Sequence, residues 1–325
     1  MQKRILIILI LLVAASLQSF YSGYKLQKTD SDKDYHKAFS HSNKVYGIVL
    51  PSTAEFCGEE LPLGIYHVRE RLDREMSVNT YWHSSTLLLL KKSRKYFKII
   101  EPILKQNNVP NDIKYIAMIE SGFKYDVSPR GAAGFWQFMP ETARRYGLRV
   151  DDQVDERYDL VKATNAACRM LKSHYNMLGS WTLVAASFNA GENRILREME
   201  RQGTNDYYNM VLPEETMRYL YRIIAIKFIY NSPTNFGFYL RNVDLYPDYP
   251  TYQVSVDSSI ANWIDFAKEH NTNYLILKEL NPWIRSTKMD NPEKLSYNIL
   301  LPKKEYFNYD TLLLETENPD EIFNK

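Results

Sequence analysis

The chain has 325 residues, 45% of them hydrophobic, so it can bury a sizeable core as two domains or as one large domain with appendages. A formal net charge of +2 removes any electrostatic argument for a nucleic-acid or strongly acidic partner. Aromatic residues make up 14%, with 25 Tyr against 14 Phe; tyrosine suits sugar recognition, through a stacking face plus a hydroxyl, as well as it suits an ordinary core.

The chain opens with Met1-Gln2-Lys3-Arg4, an unbroken apolar run over residues 5–15 and the small residues Ala14-Ala15-Ser16. Charged start, short apolar stretch and small-residue site make residues 1–22 a secretory signal peptide, with cleavage near Ser16. The run is short for a transmembrane helix, and no Cys follows that could take a lipid. An uncleaved leader acting as an anchor is the alternative. Either form is exported and works in the periplasm or cell envelope, the second in association with the membrane. Residues 23–68 are polar and irregular and read as a tether, in which His36 and His41 are solvated.

Residues 69–236 read as helix after helix, without an alternating run of any length. Residues 78–105 carry enough apolar positions for two helices or one bent one, with Pro102 as the expected kink or restart. Residues 111–120 follow, with Asn111 or Asp112 as the cap, Ile113, Ile116, Ala117 and Ile119 facing inward, and Gly122 ending the helix. Pro140-Glu141-Thr142-Ala143 opens a short helix that Gly147 closes. Helices over residues 162–178 and 182–189 are stopped by Gly179 and Gly191, and Pro213-Glu214-Glu215 begins a long one reaching about Tyr230. Residues 237–251, rich in Tyr, Asp and Pro, form an ordered linker. Residues 252–303 then read strand–helix–helix–strand, a small module with its own core, and 304–325 form an acidic, frayed tail.

Cys57 and Cys168 are the only cysteines. In an oxidising compartment an unstrained bridge closing so long a loop would contribute roughly 4–5 kcal/mol. A small buried thiol fits Ala167-Cys168-Arg169 equally well, and both readings stay open. Neither cysteine spacing nor the six scattered His fits a metal motif, so no metal or cofactor is expected.

The chemistry centres on Ile116-Ala117-Met118-Ile119-Glu120-Ser121-Gly122. Glu120 falls at the negative end of an apolar helix. Both the dipole and the apolar neighbours disfavour its charged form, so its pKa should rise, as a general acid for glycosidic cleavage requires. A glutamate fraying into solvent is the plain alternative for that residue by itself. Three further pieces are expected to converge on it: residues 128–137, which include Gly131-Ala132-Ala133-Gly134-Phe135-Trp136-Gln137; Ala186-Ser187-Phe188-Asn189-Ala190-Gly191; and Glu215-Thr216-Met217-Arg218-Tyr219.

In this order and at these separations, the pieces resemble the lytic transglycosylases of glycoside hydrolase family 23, whose catalytic domain is goose-lysozyme-like. The resemblance covers roughly residues 70–232. It implies a mainly α fold and makes Glu120 the sole catalytic acid and base, acting on peptidoglycan glycan strands. Ser128 matches the serine that hydrogen-bonds the catalytic glutamate, Gln137 would bind sugar acetamido groups, and Gly131 and Gly134 would allow close approach. Asn189 would bind substrate or cap its own helix, Phe188 keeps only the packing role of the tyrosine many relatives have there, and Tyr219 would aim its hydroxyl at Glu120 or substrate. Trp136 would stack on sugar or fill core. A hydrolytic muramidase on the same fold is a rival and would need a second carboxylate, for which Asp126 or Glu141 are candidates. A non-catalytic wall-binding protein is another. A wall-remodelling complex is a further candidate partner.

Asp151-Asp152, Asp155-Glu156 and Asp159 lack the spacing of a calcium loop and read as a solvated stretch. The C-terminal unit resembles a LysM module, an α+β (βααβ) glycan-binding fold, through Tyr252-Gln253-Val254, Phe266-Ala267, Leu280-Asn281-Pro282 and Ile299-Leu300-Leu301-Pro302. It departs from the usual Pro-Gly-Asp turn at Val256-Asp257-Ser258-Ser259.

Overall fold

The expected helical domain exists, and its apolar periodicity explains it. The structure, a computed structural model, describes residues 32–34, 37, 46–303, 309–314 and 316–324. Residues 32–34 and 37, in a first unit that ends at Gly47, are helical. The signal peptide assigned to residues 1–22, like His36 and His41, lies outside the described residues.

In the second unit, α1 (Tyr66–Tyr81) leads into α2 (His83–Gln106). The break falls at Trp82 and not at Pro102. Proline removes one i→i−4 bond, but Phe97, Ile100, Ile103 and Leu104 keep one buried face continuous across it. Each such fully buried side chain contributes on the order of 2 kcal/mol. A 3₁₀ turn, Asn111–Ile113, then feeds α3 (Lys114–Ser121), which is buried over Lys114 to Met118. Even the Lys114 amine is internal: it donates to Glu101 at 2.7 Å and lies 5.0 Å over the Phe97 ring. Neither Asn111 nor Asp112 caps this helix. The Asp112 carboxylate instead accepts from the Cys57 backbone N–H at 2.8 Å and from Lys227 Nζ at 2.7 Å.

Further along come α4 (Pro140–Arg145), α5 (Leu160–Leu178), α6 (Trp181–Ala190), α7 (Glu192–Gln202) and α8 (Glu214–Asn231). Asp159 caps α5 by accepting from the Lys162 N–H, and Gly179 ends it in the left-handed conformation. The long apolar α8 packs against α1, α6 and α3, which places Glu120 and Tyr219 on facing helices. Helix α7 was not expected, although Ile195, Leu196 and Met199 recur along one face of it; Ile195 is its one fully buried residue.

Three expectations need correction. Residues 48–65 are not tether: a hairpin of β1 (Glu55–Phe56) and β2 (Glu59–Glu60) turns at Cys57-Gly58, both with positive φ, and buries Ala54, Phe56, Leu61 and Leu63 in the main core. Two-residue strands carry no period to detect. The end of the chain is not wholly frayed either. After α11 (Tyr309–Leu314), Phe323 is buried with Leu90, Ile229, Phe238, Leu240 and Leu245, and its N–H donates to Leu240 O at 2.8 Å. The acidic stretch, finally, is only partly solvated: Asp151 and Asp152 are exposed, but Asp155, Glu156 and the adjoining Arg157 are buried. The two thiols, Cys57 half-buried and Cys168 buried, are free.

The C-terminal module pairs β3 (Thr251–Val256) antiparallel with β4 (Tyr297–Pro302), Val254 opposite Ile299, around α9 (Trp263–Glu269) and α10 (Tyr274–Leu280). Buried Asn281 stitches α10 to β4: its amide donates to Leu277 O and Leu300 O and accepts from the Leu300 N–H.

Candidate active site

Glu120 sits in the last turn of α3, which Gly122 ends at φ +57°. The Lys92 amine closes this end by donating to Gly122 O at 3.2 Å and Phe123 O at 3.3 Å. The Glu120 side chain is half-buried, and Tyr219 on α8 donates its hydroxyl to Oε1 at 2.5 Å. Burial pushes the Glu120 pKa up; the Tyr219 hydrogen bond and the nearby Arg222 guanidinium pull it down, and burial wins. Its place at a helix C-terminus adds to the upward push. Burial, reinforced by the Glu120 charge, holds the Tyr219 hydroxyl protonated far above its ordinary range, so it is a fixed donor.

The second piece is a loop closed on itself. Ser128 N–H donates to Ala132 O at 2.8 Å, and Ser128 Oγ accepts from the Ala132 N–H at 2.9 Å. Ser128 thus shapes its own turn as an acceptor, and among the described residues its hydroxyl makes no bond to Glu120. Ala133 and Phe138 pair through reciprocal backbone bonds of 3.1 Å. Between them Gly134 stands at φ +76°, where an added Cβ would lie 1.8 Å from the Arg157 carbonyl oxygen. The close approach that requires this glycine is thus by protein backbone. Gln137, itself at φ +45°, donates its side-chain amide to Gly134 O at 2.9 Å. Phe135 and Trp136 fasten the loop from within. Phe135 packs at 5.8 Å from Phe123, just past Glu120, and Trp136 at 6.3 Å from Phe188, just before Asn189. Trp136 is fully buried and donates Nε1–H to Thr164, so it fills core.

The third piece is the end of α6. Phe188 is half-buried against the core. Asn189 does not cap its helix; Thr216, one turn before Tyr219 on α8, donates to Asn189 Oδ1 at 2.8 Å. That orients the amide and leaves its NH₂ uncommitted among the described residues. Beneath it, Ser187 Oγ donates to Val184 O and meets His174 Nδ1 at 2.8 Å, while His174 Nε2 faces Glu192 at 3.7 Å. Burial lowers the His174 pKa.

The site therefore gathers Glu120, Tyr219 and Asn189 through α8, and holds Gly134 and Gln137 beside them by aromatic packing. Asp126 and Glu141 are both exposed. Sequence reasoning gave Thr216 no role of its own and missed Arg222, although both lie three residues from Tyr219 on one helix face. It also missed Arg157. Its guanidinium bonds Asp155 at 2.9 and 2.7 Å and donates to Gly131 O at 2.8 Å and Phe138 O at 3.0 Å, clamping both sides of the loop. No local pattern marks a buried arginine within an acidic run. Among the described residues, no group of three or more His, Cys, Asp or Glu is placed to hold a metal ion.

A helical, lysozyme-like domain whose site carboxyl, Glu120, is bonded by a buried tyrosine, and which carries a LysM-like C-terminal module, is the class that this fold and site define. Residues 97–211 match the family described as Transglycosylase SLT domain, and residues 252–305 match the Soluble lytic transglycosylase C-terminal LysM-like domain. The membrane-bound lytic murein transglycosylase D of Escherichia coli strain K12 is 31% identical over 198 residues, 58% of this chain and 43% of that protein. The protein of the same name from Escherichia coli O6:H1 matches equally, at 31% over 198 residues. The chain spans less than half the length of these curated relatives, the match covering 43% of each.

Proposed function

We propose that this protein is a peptidoglycan lytic transglycosylase, cleaving the β-1,4 bond between N-acetylmuramic acid and N-acetylglucosamine without water. The observation that carries this reading is the Glu120–Tyr219 pair: a carboxyl raised toward its protonated form by burial and aimed by a hydroxyl that cannot ionise. Protonated Glu120 gives its proton to the bridging oxygen as the bond to muramoyl C1 breaks, and N-acetylglucosamine leaves as an alcohol. The Glu120 carboxylate then takes the proton of the muramoyl C6 hydroxyl, whose oxygen closes on C1 to form the 1,6-anhydro sugar. One group serves in both directions because the nucleophile is intramolecular and already in place. An ordinary glycosidase needs a second carboxylate to activate water or form a covalent intermediate. Tyr219 stabilises the carboxylate produced between the two steps. Asn189 supplies its NH₂ and Gln137, whose NH₂ is held by Gly134 O and Asp126 O, supplies its side-chain carbonyl oxygen for the sugar acetamido groups, and Phe135 and Trp136 hold the Gln137 loop in place.

The leader-like residues 1–22 and the likeness to membrane-bound relatives support work at the cell envelope, on wall glycan, within reach of a wall-remodelling complex. No helix among the described residues is long and apolar enough to cross a membrane. Residues 252–303 supply a second contact for glycan beside the catalytic domain of residues 48–236, and 237–251 join the two.

The test is mass spectrometry of soluble products after incubation with purified peptidoglycan. Muropeptides ending in 1,6-anhydro-N-acetylmuramic acid, absent with Glu120→Gln, are expected. Reducing ends, heavier by one water, would make the protein a hydrolase; no release alongside wall binding would make it a binding protein.

A further inference from the structure

The LysM-like module does not hang from its linker. Ala133, Val154 and Tyr158 of the helical domain are buried in the module's own core, with Trp283, Ile284 and Tyr297. The backbones join as well: Val154 bridges Ile284, Asp155 N–H donates to Trp283 O at 2.9 Å, and Arg285 N–H donates to Gln153 O at 2.8 Å. The Gln153 side chain bonds Asp290 in both directions, each at 2.7 Å. Two cations lie over rings across the joint, Arg285 on Tyr158 and Lys162 on Tyr297, each at 4.5 Å.

The segment gripped in this way is the one that controls the active-site loop. Asp155, held at its backbone by the module, fixes the Arg157 guanidinium, which holds Gly131 O and Phe138 O. The Arg157 carbonyl occupies the space that a Cβ at Gly134 would need. Ala133, inside the loop, is itself 1% exposed because the module covers it. Removing the module would uncover Ala133, Val154 and Tyr158 together and free the backbone of the segment that carries Arg157. Interfaces of this kind, with mixed apolar and backbone contacts, are not those of a freely swinging domain.

We propose that the module is a positioning element of the active site, setting the 131–138 loop through Asp155 and Arg157 in addition to any glycan it binds. This rests on the reading of Glu120 and Gln137 as active-site residues, so the experiment has a readout that does not need activity. The probe is amide hydrogen exchange of the full chain as wild type, as Gln153→Ala, which cuts two surface bonds of the joint, and as Ile284→Ala, which loosens its core. The Ala133 and Phe138 amides are expected to exchange ~10-fold or more faster in both variants, with the Leu220 and Ile223 amides of α8 unchanged. Arg157→Lys, which keeps a charge for Asp155 but cannot hold two carbonyls as well, should reproduce the loop effect with the module amides of β4 still protected. Loop amides that keep wild-type exchange while β4 amides accelerate would overturn the proposal.

Kinetics on a soluble tetrasaccharide of alternating N-acetylglucosamine and N-acetylmuramic acid provide the second readout. The joint variants should lose kcat by roughly 10- to 100-fold, as misplaced catalytic geometry does, with KM within about two-fold. A raised KM with unchanged kcat would instead make the module a substrate-binding appendage and sink the idea. A wild-type chain that does not cleave the tetrasaccharide would refute the lytic reading of Glu120 and leave the exchange result to decide the coupling alone.

Discussion

Replacing Tyr219 by Phe removes one oxygen from a side chain that is 1% exposed, so packing is retained and the hydrogen bond to Glu120 at 2.5 Å is lost. A hydrogen bond to a charged acceptor contributes about 1.5–3 kcal/mol and one to a neutral acceptor about 0.5–1.5 kcal/mol. The Tyr219 hydroxyl therefore favours the ionised over the protonated carboxyl by roughly 1–1.5 kcal/mol, or about one pH unit. Its removal should raise the already elevated Glu120 pKa by about that much. The assay is the pH titration of the Glu120 side-chain carboxyl carbon by NMR in both proteins. The alkaline limb of the kcat/KM profile, which reports loss of the proton donor, provides a second readout. Both should move upward together by about one unit. The variant should also be less stable than wild type where Glu120 is ionised, by about 1.5–3 kcal/mol, and the gap should narrow once Glu120 is protonated. An unmoved or lowered Glu120 titration would refute the account, because it would mean that the hydroxyl does not stabilise the carboxylate.

Glu120→Gln should abolish product release and raise Tm at neutral pH. A carboxyl with a raised pKa in the folded protein contributes stability only below its unfolded value, about 4.5, and that contribution is lost as pH rises through the folded value. The Tm gain, measured by calorimetry, should therefore vanish below about pH 4.5; a gain independent of pH would contradict it. Gly134→Ala places a methyl 1.8 Å from the Arg157 carbonyl at a positive φ. It should cost at least about 3 kcal/mol, lowering Tm by roughly 6–12 °C, and a thermal melt within ~2 °C of wild type would exclude that geometry. His174, whose pKa burial lowers, favours the folded state when neutral. Stability should fall as pH drops from the unfolded value near 6.5 through the lowered folded value, and His174→Gln should flatten that part of the Tm–pH curve.

The parts of the fold that were legible were those with a strong local signal. Gly122, Gly147, Gly179 and Gly191 mark the ends of their helices because each takes a positive φ that other residues resist. The apolar spacing of residues 97, 100, 103 and 104 required one buried helix face. The same logic failed at Pro102, where tertiary packing carried the helix through a residue that favours breaking it. Helix α7, whose polar sequence buries little, was not expected, although Ile195, Leu196 and Met199 share a face. The hairpin at residues 55–60 was invisible because two-residue strands have no period.

The sequence by itself determined that residues 69–236 are helical, that a βααβ module follows, and that Glu120 ends an apolar helix where a carboxyl is hard to ionise. All three follow from neighbours within a few turns along the chain. Only the tertiary structure decided which groups meet across it: Tyr219, aimed by the resemblance at Glu120 or substrate, bonds Glu120 from 99 residues away, and Thr216 turns Asn189 from 27. It also decided that Ser128 serves its own loop, that Gly134 makes room for the Arg157 backbone, and that Asp155 and Glu156, within an acidic run reading as solvated, are buried near the C-terminal module. The physical reason is common to these cases. A partner distant in sequence leaves no periodicity, and burial, which sets both the Glu120 pKa and the Arg157 clamp, belongs to the packed molecule as a whole.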